Sequence, residues 1–100
     1  MIRVQEGNIY SFKLISSEEL VGKVIKVEDD YYVVETPLAS GMTQKGLQLM
    51  PTMFTVELDA NINISKNAIA MTGVPREDIT DAYRTATTGI AVPDKQIILG

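Results

Sequence analysis

A single glycine lies inside a run that otherwise favours one long β-strand. Residues 20–27 are rich in β-branched side chains, and Gly22 is the only glycine among them. A lone glycine within a strand marks a bulge, a sharp bend or a close approach of two backbones. Bent strands of this kind are typical of small β-barrels. We expect Gly22 to bend the strand and to have no further role.

Period-two alternation predicts the strands around this bend. Residues 10–14 place apolar side chains on one face and polar side chains on the other, as a half-buried strand does. A polar turn at residues 16–19 precedes the bent strand, and an acidic turn at residues 28–30 ends it. Residues 31–34 then resume an extended pattern. The first third of the chain therefore predicts three antiparallel strands.

The middle of the chain is predicted as a loop followed by further strands. Residues 37–51 are bracketed by prolines, which favours a loop, and their methionines and leucines indicate that part of it is covered. Residues 53–64 alternate again, as one long strand or as two strands joined at residues 59–61. Across the reversal at residues 64–69, residues 69–72 are predicted as the hairpin partner of that strand.

The apolar period changes after Pro75 to that of an amphipathic helix. The apolar side chains recur at helical spacing, at Ile79, Ala82, Tyr83 and Ala86. Pro75 suits the first helical position, and Gly89 suits the end of the helix. We expect this helix to dock on the barrel. Residues 90–100 form either an added strand or a terminus that is ordered only by a neighbouring molecule.

Composition restricts the class of protein. A chain of 100 residues with 45% hydrophobic and 22% charged residues is expected to form one domain with a modest core. The chain has no cysteine and no apolar run of transmembrane or signal length, so we expect a cytoplasmic location without membrane attachment. A net charge of −4 opposes a broad basic face, and any nucleic-acid site must therefore be local.

No constellation of residues identifies a reaction. The chain has no histidine, no cysteine and no glycine-rich phosphate loop, so we expect no enzymatic activity. The acidic residues 28–30 are interpreted as a solvated turn, because a calcium or magnesium site needs more oxygen ligands than this spacing offers. We expect neither a metal site nor a cofactor.

Two motifs resemble those of the Sm-like proteins. Leu14, Gly22, the acidic pair at residues 29–30 and the aromatic segment at residues 31–34 are similar to the first Sm motif, in which a bent strand enters an acidic and aromatic loop. Residues 64–71 resemble the second motif, Ile-Arg-Gly-Asn followed by alternating apolar residues. The order of the motifs and the loop between them are most similar to the Sm-like proteins that bacteriophages encode.

This resemblance implies a mainly β fold, a small five-stranded, strongly bent open barrel of the SH3-like or Sm-like type. The barrel is expected over residues 1–74, and a short C-terminal helix and tail at residues 75–100 are expected to pack on the same domain. The family's usual helix before the first strand is not expected, because residues 1–8 are too few.

The resemblance also implies a homo-oligomeric ring. An open sheet leaves two strand edges unpaired, and pairing the edge of one subunit with the edge of the next satisfies their backbone groups in cyclic symmetry. We expect these edges at residues 53–64 and 69–72.

Such rings bind single-stranded nucleic acid, RNA more readily than DNA, through loops that face the pore. The family's base-stacking position falls on Tyr31 or Tyr32. Lys66 is then placed to neutralise a phosphate and Asn67 to read a base edge, while Asp30 orients a neighbouring residue. The family's base-reading asparagine after the first-motif aromatic is absent here, so uridine preference does not carry over. The implied setting is RNA metabolism in the cytoplasm of a phage-infected host cell.

Two alternatives remain open from the sequence. The protein could be a structural or adaptor ring that binds protein partners, but no nucleic acid, through the methionine-rich residues 37–51 and the terminal tail. It could also be a monomeric SH3-like module. The tyrosines then serve cross-strand packing, and Lys66 and Asn67 only form a turn.

Overall fold

The computed structural model describes residues 2–88 and the backbone of residues 97–99. The described part contains, in chain order, β1 (Ile9–Leu14), β2 (Glu19–Val27), β3 (Tyr31–Thr43), β4 (Gly46–Pro51), β5 (Asn61–Ser65), the 3₁₀ helix (Lys66–Ala68), β6 (Ile69–Gly73), α1 (Glu77–Thr87) and β7 (Ile97–Leu99). The mainly β class and the short C-terminal helix are confirmed. Residues 2–8 form no helix. The predicted helix stop at Gly89 lies outside the described residues, as does the tail except residues 97–99.

The strands form one antiparallel sheet that does not close on itself. Six of them lie in the order β6-β1-β2-β3-β4-β7, and β5 pairs with β3. β3 has two partners on the same side: its residues 31–35 pair with β5, and its residues 38–43 pair with β4. The three antiparallel strands predicted for the first third of the chain are confirmed. The described residues thus contain seven strands, where five were expected.

A bulge at Gly22 bends the sheet. The register of β2 against β3 shifts there by one residue, so that Gly22 faces both Thr36 and Pro37. Thr36 has a φ of 42°, which is strained for a β-branched residue. A Cβ on Gly22 would overlap Val34 Cγ1 and lie 3.3 Å from Pro37 Cα. The bulge confirms that the strand is irregular at Gly22, and Gly22 also permits a close approach of β2 and β3, which was not expected of it.

Residues 37–51, predicted as a loop, form a β-hairpin instead. β3 runs through Pro37 to Thr43, and the chain returns as β4. Pro37 is compatible with this strand because it lies in the bulge, where its missing N–H removes no regular ladder bond. Part of the hairpin is covered, because its side chains Leu38 and Leu49 are both buried. This hairpin adds β4, and through it β7, to the expected five strands.

The strand predicted for residues 53–64 is mostly absent. Only Asn61–Ser65 is extended, because the edge of β3 that residues 53–60 would need is already paired with β4. The predicted hairpin across residues 64–69 is also wrong. β5 pairs with β3 and β6 pairs with β1, and the 3₁₀ helix joins them as a corner.

Apolar side chains form one cluster on each face of the bent sheet. The inner cluster contains Tyr10, Phe12, Leu20, Val24, Val34 and Ile64. The outer cluster contains Val21, Leu38, Leu49, Ile79 and Tyr83. Because Ile79 and Tyr83 belong to α1, the predicted docking of this helix on the sheet is confirmed. The helix begins at Glu77 after the N-cap Arg76, so Pro75 precedes the first helical position rather than occupying it.

The Tyr83 hydroxyl occupies a gap in the β2–β3 ladder beside the bulge. Lys23 and Glu35 are register partners. The Lys23 N–H donates to the Tyr83 hydroxyl at 3.1 Å, and that hydroxyl donates to the Glu35 carbonyl. Burial raises the pKa of Tyr83 to about 12, with a further rise from the Glu35 charge, against the lowering effect of the Lys23 hydrogen bond. Tyr83 therefore fastens α1 to the sheet where the ladder is interrupted.

Candidate nucleic-acid interface

The structure brings the residues of the two sequence motifs together at one corner of the sheet. The Lys66 N–H donates to the Asp30 carbonyl at 2.9 Å. Tyr31 is the register partner of Ser65, so β3 begins beside the 3₁₀ helix. Lys66 and Asp30 are 36 positions apart in sequence, and long-range strand pairing places them in contact. We call this region, residues 28–32 together with residues 65–68, the corner site.

An aromatic ring and an ammonium group meet at the centre of the corner site. The Nζ of Lys66 lies over the Tyr32 ring, 5.1 Å from its centroid. The Phe12 ring is stacked with Tyr32, with centroids 5.8 Å apart and an interplanar angle of 23°. Cation–π contacts at such distances contribute roughly 0.5–1 kcal/mol when exposed. Phe12 is almost fully buried, so the Tyr32 ring packs on the core at this point.

The two tyrosines of the aromatic segment lie on opposite faces of β3. Successive residues of a strand alternate between faces. Tyr32 packs against the inner cluster, and its ring is the one that the Lys66 ammonium group contacts. Tyr31 and Tyr32 therefore do not form one continuous stacking platform. Of the two positions left open by the sequence, Tyr32 is the one beside the lysine.

The 3₁₀ helix that carries Lys66 and Asn67 is held at both ends. The Ser65 hydroxyl caps it by accepting the Asn67 N–H at 3.3 Å. The Ala68 carbonyl accepts the Ile15 N–H at 2.8 Å, which ties the corner to the β1–β2 turn. The Asn67 side chain is exposed to solvent. The corner thus presents a cation and an amide on a backbone that is fixed before any ligand arrives.

Asp30 acts at the corner through its backbone. Its carbonyl accepts the Lys66 N–H, while its side chain is exposed. This contact does not require the carboxylate, so an orienting role of the Asp30 side chain stays a prediction. Phe12, in contrast, was predicted only as part of the apolar face of the strand at residues 10–14, and its stacking behind Tyr32 was missed. Alternation places Phe12 on the inner face but does not reveal which strand end it approaches.

The electrostatic environment of the corner site is mixed. The exposed carboxylates of Asp29 and Asp30 lie in the turn beside Lys66, and the Lys26 Nζ is 3.5 Å from a Glu28 carboxylate oxygen. An exposed pair of this kind contributes little to stability. The carboxylates in this turn oppose a polyanion at Lys66, so a single corner site is expected to bind nucleic acid weakly. Within residues 2–88, no group of three or more acidic side chains is placed to hold a metal ion.

Comparison with known proteins adds no relative for this chain. Neither a protein-family model nor a curated protein matches it. The functional assignment therefore depends on the geometry of the corner site and on the arrangement of the strands. None of the helices in the described part of the chain has the length and apolar character needed to cross a membrane.

Proposed function

We propose that this protein is an Sm-like barrel that binds single-stranded nucleic acid, RNA in preference to DNA, at the corner site. The observation that supports this function best is the position of the Lys66 ammonium group over the Tyr32 ring. Single strands expose both phosphates and unstacked base faces, and proteins bind them by combining cations with aromatic side chains. Lys66 supplies the cation, Tyr32 supplies the ring, and the exposed amide of Asn67 supplies a group able to contact a base edge.

The arrangement of the strands supports the barrel part of the proposal. β6, β1, β2, β3 and β5 form an uninterrupted run of five antiparallel strands. The bulge at Gly22 bends this run, and its inner face is the buried cluster around Phe12 and Val24. The outer two strands, β5 and β6, are consecutive in the chain and joined by the corner. A five-stranded open barrel has these features.

The ring part of the proposal follows from the edges of this run. Among the described strands, β5 and β6 each pair on one side only. Joining β5 of one subunit to β6 of the next would satisfy both edges, and it gives a closed ring when the rotation from copy to copy completes a circle. A ring repeats the corner site in every subunit, so that weak individual sites act together through their high effective concentration. An acidic protein binds a single strand usefully in this way. We place the ring in RNA metabolism, in the cytoplasm of a phage-infected host cell.

An adaptor ring that binds protein partners is the second candidate. Met42, near the tip of the β3–β4 hairpin, exposes 80% of its surface. A flexible, exposed methionine is common on surfaces that bind proteins. This function predicts that variants at Met42 abolish partner binding and that variants at Lys66 do not.

Fluorescence anisotropy tests the nucleic-acid function. Labelled oligo-U, oligo-A and oligo-dT are titrated with the wild-type protein and with Lys66→Ala, at low and near-physiological salt. We expect Lys66→Ala to weaken binding roughly 10- to 100-fold, because a hydrogen bond to a charged group contributes roughly 1.5–3 kcal/mol. Lys45→Ala is the matched control, since Lys45 is exposed at the hairpin tip and outside the corner site.

The two substitutions separate a local site from general attraction between charges. Equal weakening by Lys45→Ala and Lys66→Ala would contradict the corner site. Absence of saturable binding at any salt concentration would favour the adaptor function instead. A monomeric mass for the wild-type protein in light scattering would favour the SH3-like module.

A further inference from the structure

The outer face of the sheet differs between the region under α1 and the region near the corner site. Under α1, the face carries the outer cluster, to which β3 contributes Leu38. Towards the start of β3, the last hydrogen bond from α1 in the described part of the chain is that of the Tyr83 hydroxyl to the Glu35 carbonyl. Tyr31 and Val33 lie beyond this bond, and neither belongs to a buried cluster of the described residues. Tyr31 is therefore an aromatic residue of the outer face without a place in either core.

Polar side chains surround Tyr31 on this face. Residues directly opposite each other in antiparallel strands point to the same side of the sheet, and diagonal neighbours are roughly 7–8 Å apart. Tyr31 pairs with Ser65. Val33, the next residue on the same face, pairs with Asn63 on one side and with Lys26 on the other. Because the hydroxyl, amide and ammonium residues are all exposed, the tyrosine has polar neighbours that are accessible to a ligand.

This combination of groups suits a nucleotide. Aromatic rings on the open face of a β-sheet stack the bases of single-stranded RNA, and a side-chain amide both donates and accepts hydrogen bonds at a base edge. Cross-strand packing of a tyrosine, in contrast, favours an aromatic or β-branched partner, whereas Tyr31 lies opposite Ser65. Lys26 is already paired with Glu28 at 3.5 Å, so the ring and the amide of Asn63 are the groups that define the site.

We infer that Tyr31 and Asn63 form a second nucleotide subsite, in which the ring stacks a base and the amide contacts the edge of that base. The inference rests on the proposed nucleic-acid function, because the base belongs to the same strand that Lys66 holds. Tyr31 and Tyr32 project from opposite faces, so the strand joins the two sites by passing over the 3₁₀ helix, where Asn67 is exposed. A duplex is stiff over about 150 base pairs, so this path restricts the ligand to a flexible single strand.

The dependence of binding on oligonucleotide length tests the second subsite. Labelled UpU, which is too short to pass around the corner, and a labelled long oligo-U are titrated in fluorescence anisotropy. We expect Tyr31→Ala to weaken binding of the long oligo-U at least about fivefold and Asn63→Ala to weaken it roughly two- to tenfold. Binding of UpU, which Lys66 holds at the corner site, should not change in either variant. Tyr31→Phe keeps the stacking ring and is expected to retain the wild-type affinity.

Asn63→Ala keeps the test informative if Tyr31→Ala does not fold, because Asn63 is exposed on β5. Gln44→Ala is its matched control, since it removes another exposed amide, at the tip of the β3–β4 hairpin. Selective loss of affinity for the long oligo-U in Asn63→Ala, with Gln44→Ala unchanged, supports the inference.

Two results would overturn the second subsite and leave the corner site in place, provided that Lys66→Ala still weakens binding of both oligonucleotides. The first is wild-type affinity of Asn63→Ala for the long oligo-U. The second is an equal loss for UpU and for the long oligo-U, because Asn63 would then belong to the corner site itself. If Lys66→Ala weakens neither oligonucleotide, the proposed function fails and the inference fails with it.

Discussion

Replacing Tyr83 with phenylalanine isolates the hydroxyl that fills the ladder gap beside the bulge. Phenylalanine keeps the ring in the outer cluster, so packing is retained. The change removes the acceptor for the Lys23 N–H and the donor to the Glu35 carbonyl. Each buried backbone group left without a partner costs roughly 1–3 kcal/mol, and partial re-pairing of the two groups reduces the sum. We expect Tyr83→Phe to lower the free energy of unfolding by about 2 kcal/mol.

Urea unfolding followed by circular dichroism measures this loss. The midpoint should fall while the slope of free energy against urea is unchanged, because the surface exposed on unfolding is the same. In a thermal scan, about 2 kcal/mol corresponds to roughly 8–16 °C for a chain of this size. Tyr31→Phe is the matched control, since it removes a hydroxyl from a half-buried tyrosine at the start of β3. If the two variants have the same midpoint, the Tyr83 hydroxyl does not support the ladder.

Two further predictions concern the same region of the sheet. Gly22→Ala is expected to destabilise the protein by about 1–3 kcal/mol through overpacking, because the added Cβ overlaps Val34. Gly41→Ala is the control and should be tolerated, since nothing lies within 4 Å of a Cβ at that position. Similar urea midpoints for both variants would refute the role of the close approach. The pKa of Tyr83 is raised to about 12 in the folded state against about 10 when unfolded, so its contribution to stability is present below pH 10 and is lost as the pH rises from 10 to 12. The decrease in urea midpoint over this range should be smaller in Tyr83→Phe, and an equal decrease in both proteins would contradict the assignment.

Local periodicity predicted the parts of the fold that depend on local sequence. Alternation located β1, β2 and the first half of β3, and helical spacing located α1 and its buried face. Gly22 was identified as a bend because a glycine weakens the interior of a strand and so usually marks a place where the strand is irregular. These features need no knowledge of which strands are neighbours.

The failures concern competition for strand edges, which a local pattern does not record. Residues 53–60 alternate like a strand, yet β4 already occupies the edge of β3 that they would need. Pro37 looked like the start of a loop, but the bulge removes the cost of its missing N–H. The reversal at residues 64–69 looked like a hairpin, although its two strands pair with β3 and β1 instead of with each other.

The corner site was predictable as a set of residues but not as a geometry. The motifs identified Tyr32, Lys66 and Asp30, and the structure places all three in one corner. Their contacts depend on the long-range pairing of β5 with β3, which also decides that Tyr32 rather than Tyr31 lies beside the lysine. The stacking of Phe12 on Tyr32 depends on the bend of the sheet and had no sequence signal beyond its place in the core.

Photo-crosslinking tests the nucleic-acid site most directly. The full chain is mixed with oligo-U containing 5-bromouridine, irradiated and digested, and the attached residue is located by mass spectrometry. The proposed function predicts attachment within residues 28–32, at Tyr32 above all, and a strong reduction of this product in Lys66→Ala but not in Lys45→Ala. Attachment at Phe54 or at the hairpin tip, or an unchanged yield in Lys66→Ala, would contradict the corner site as the place where this protein binds single-stranded nucleic acid.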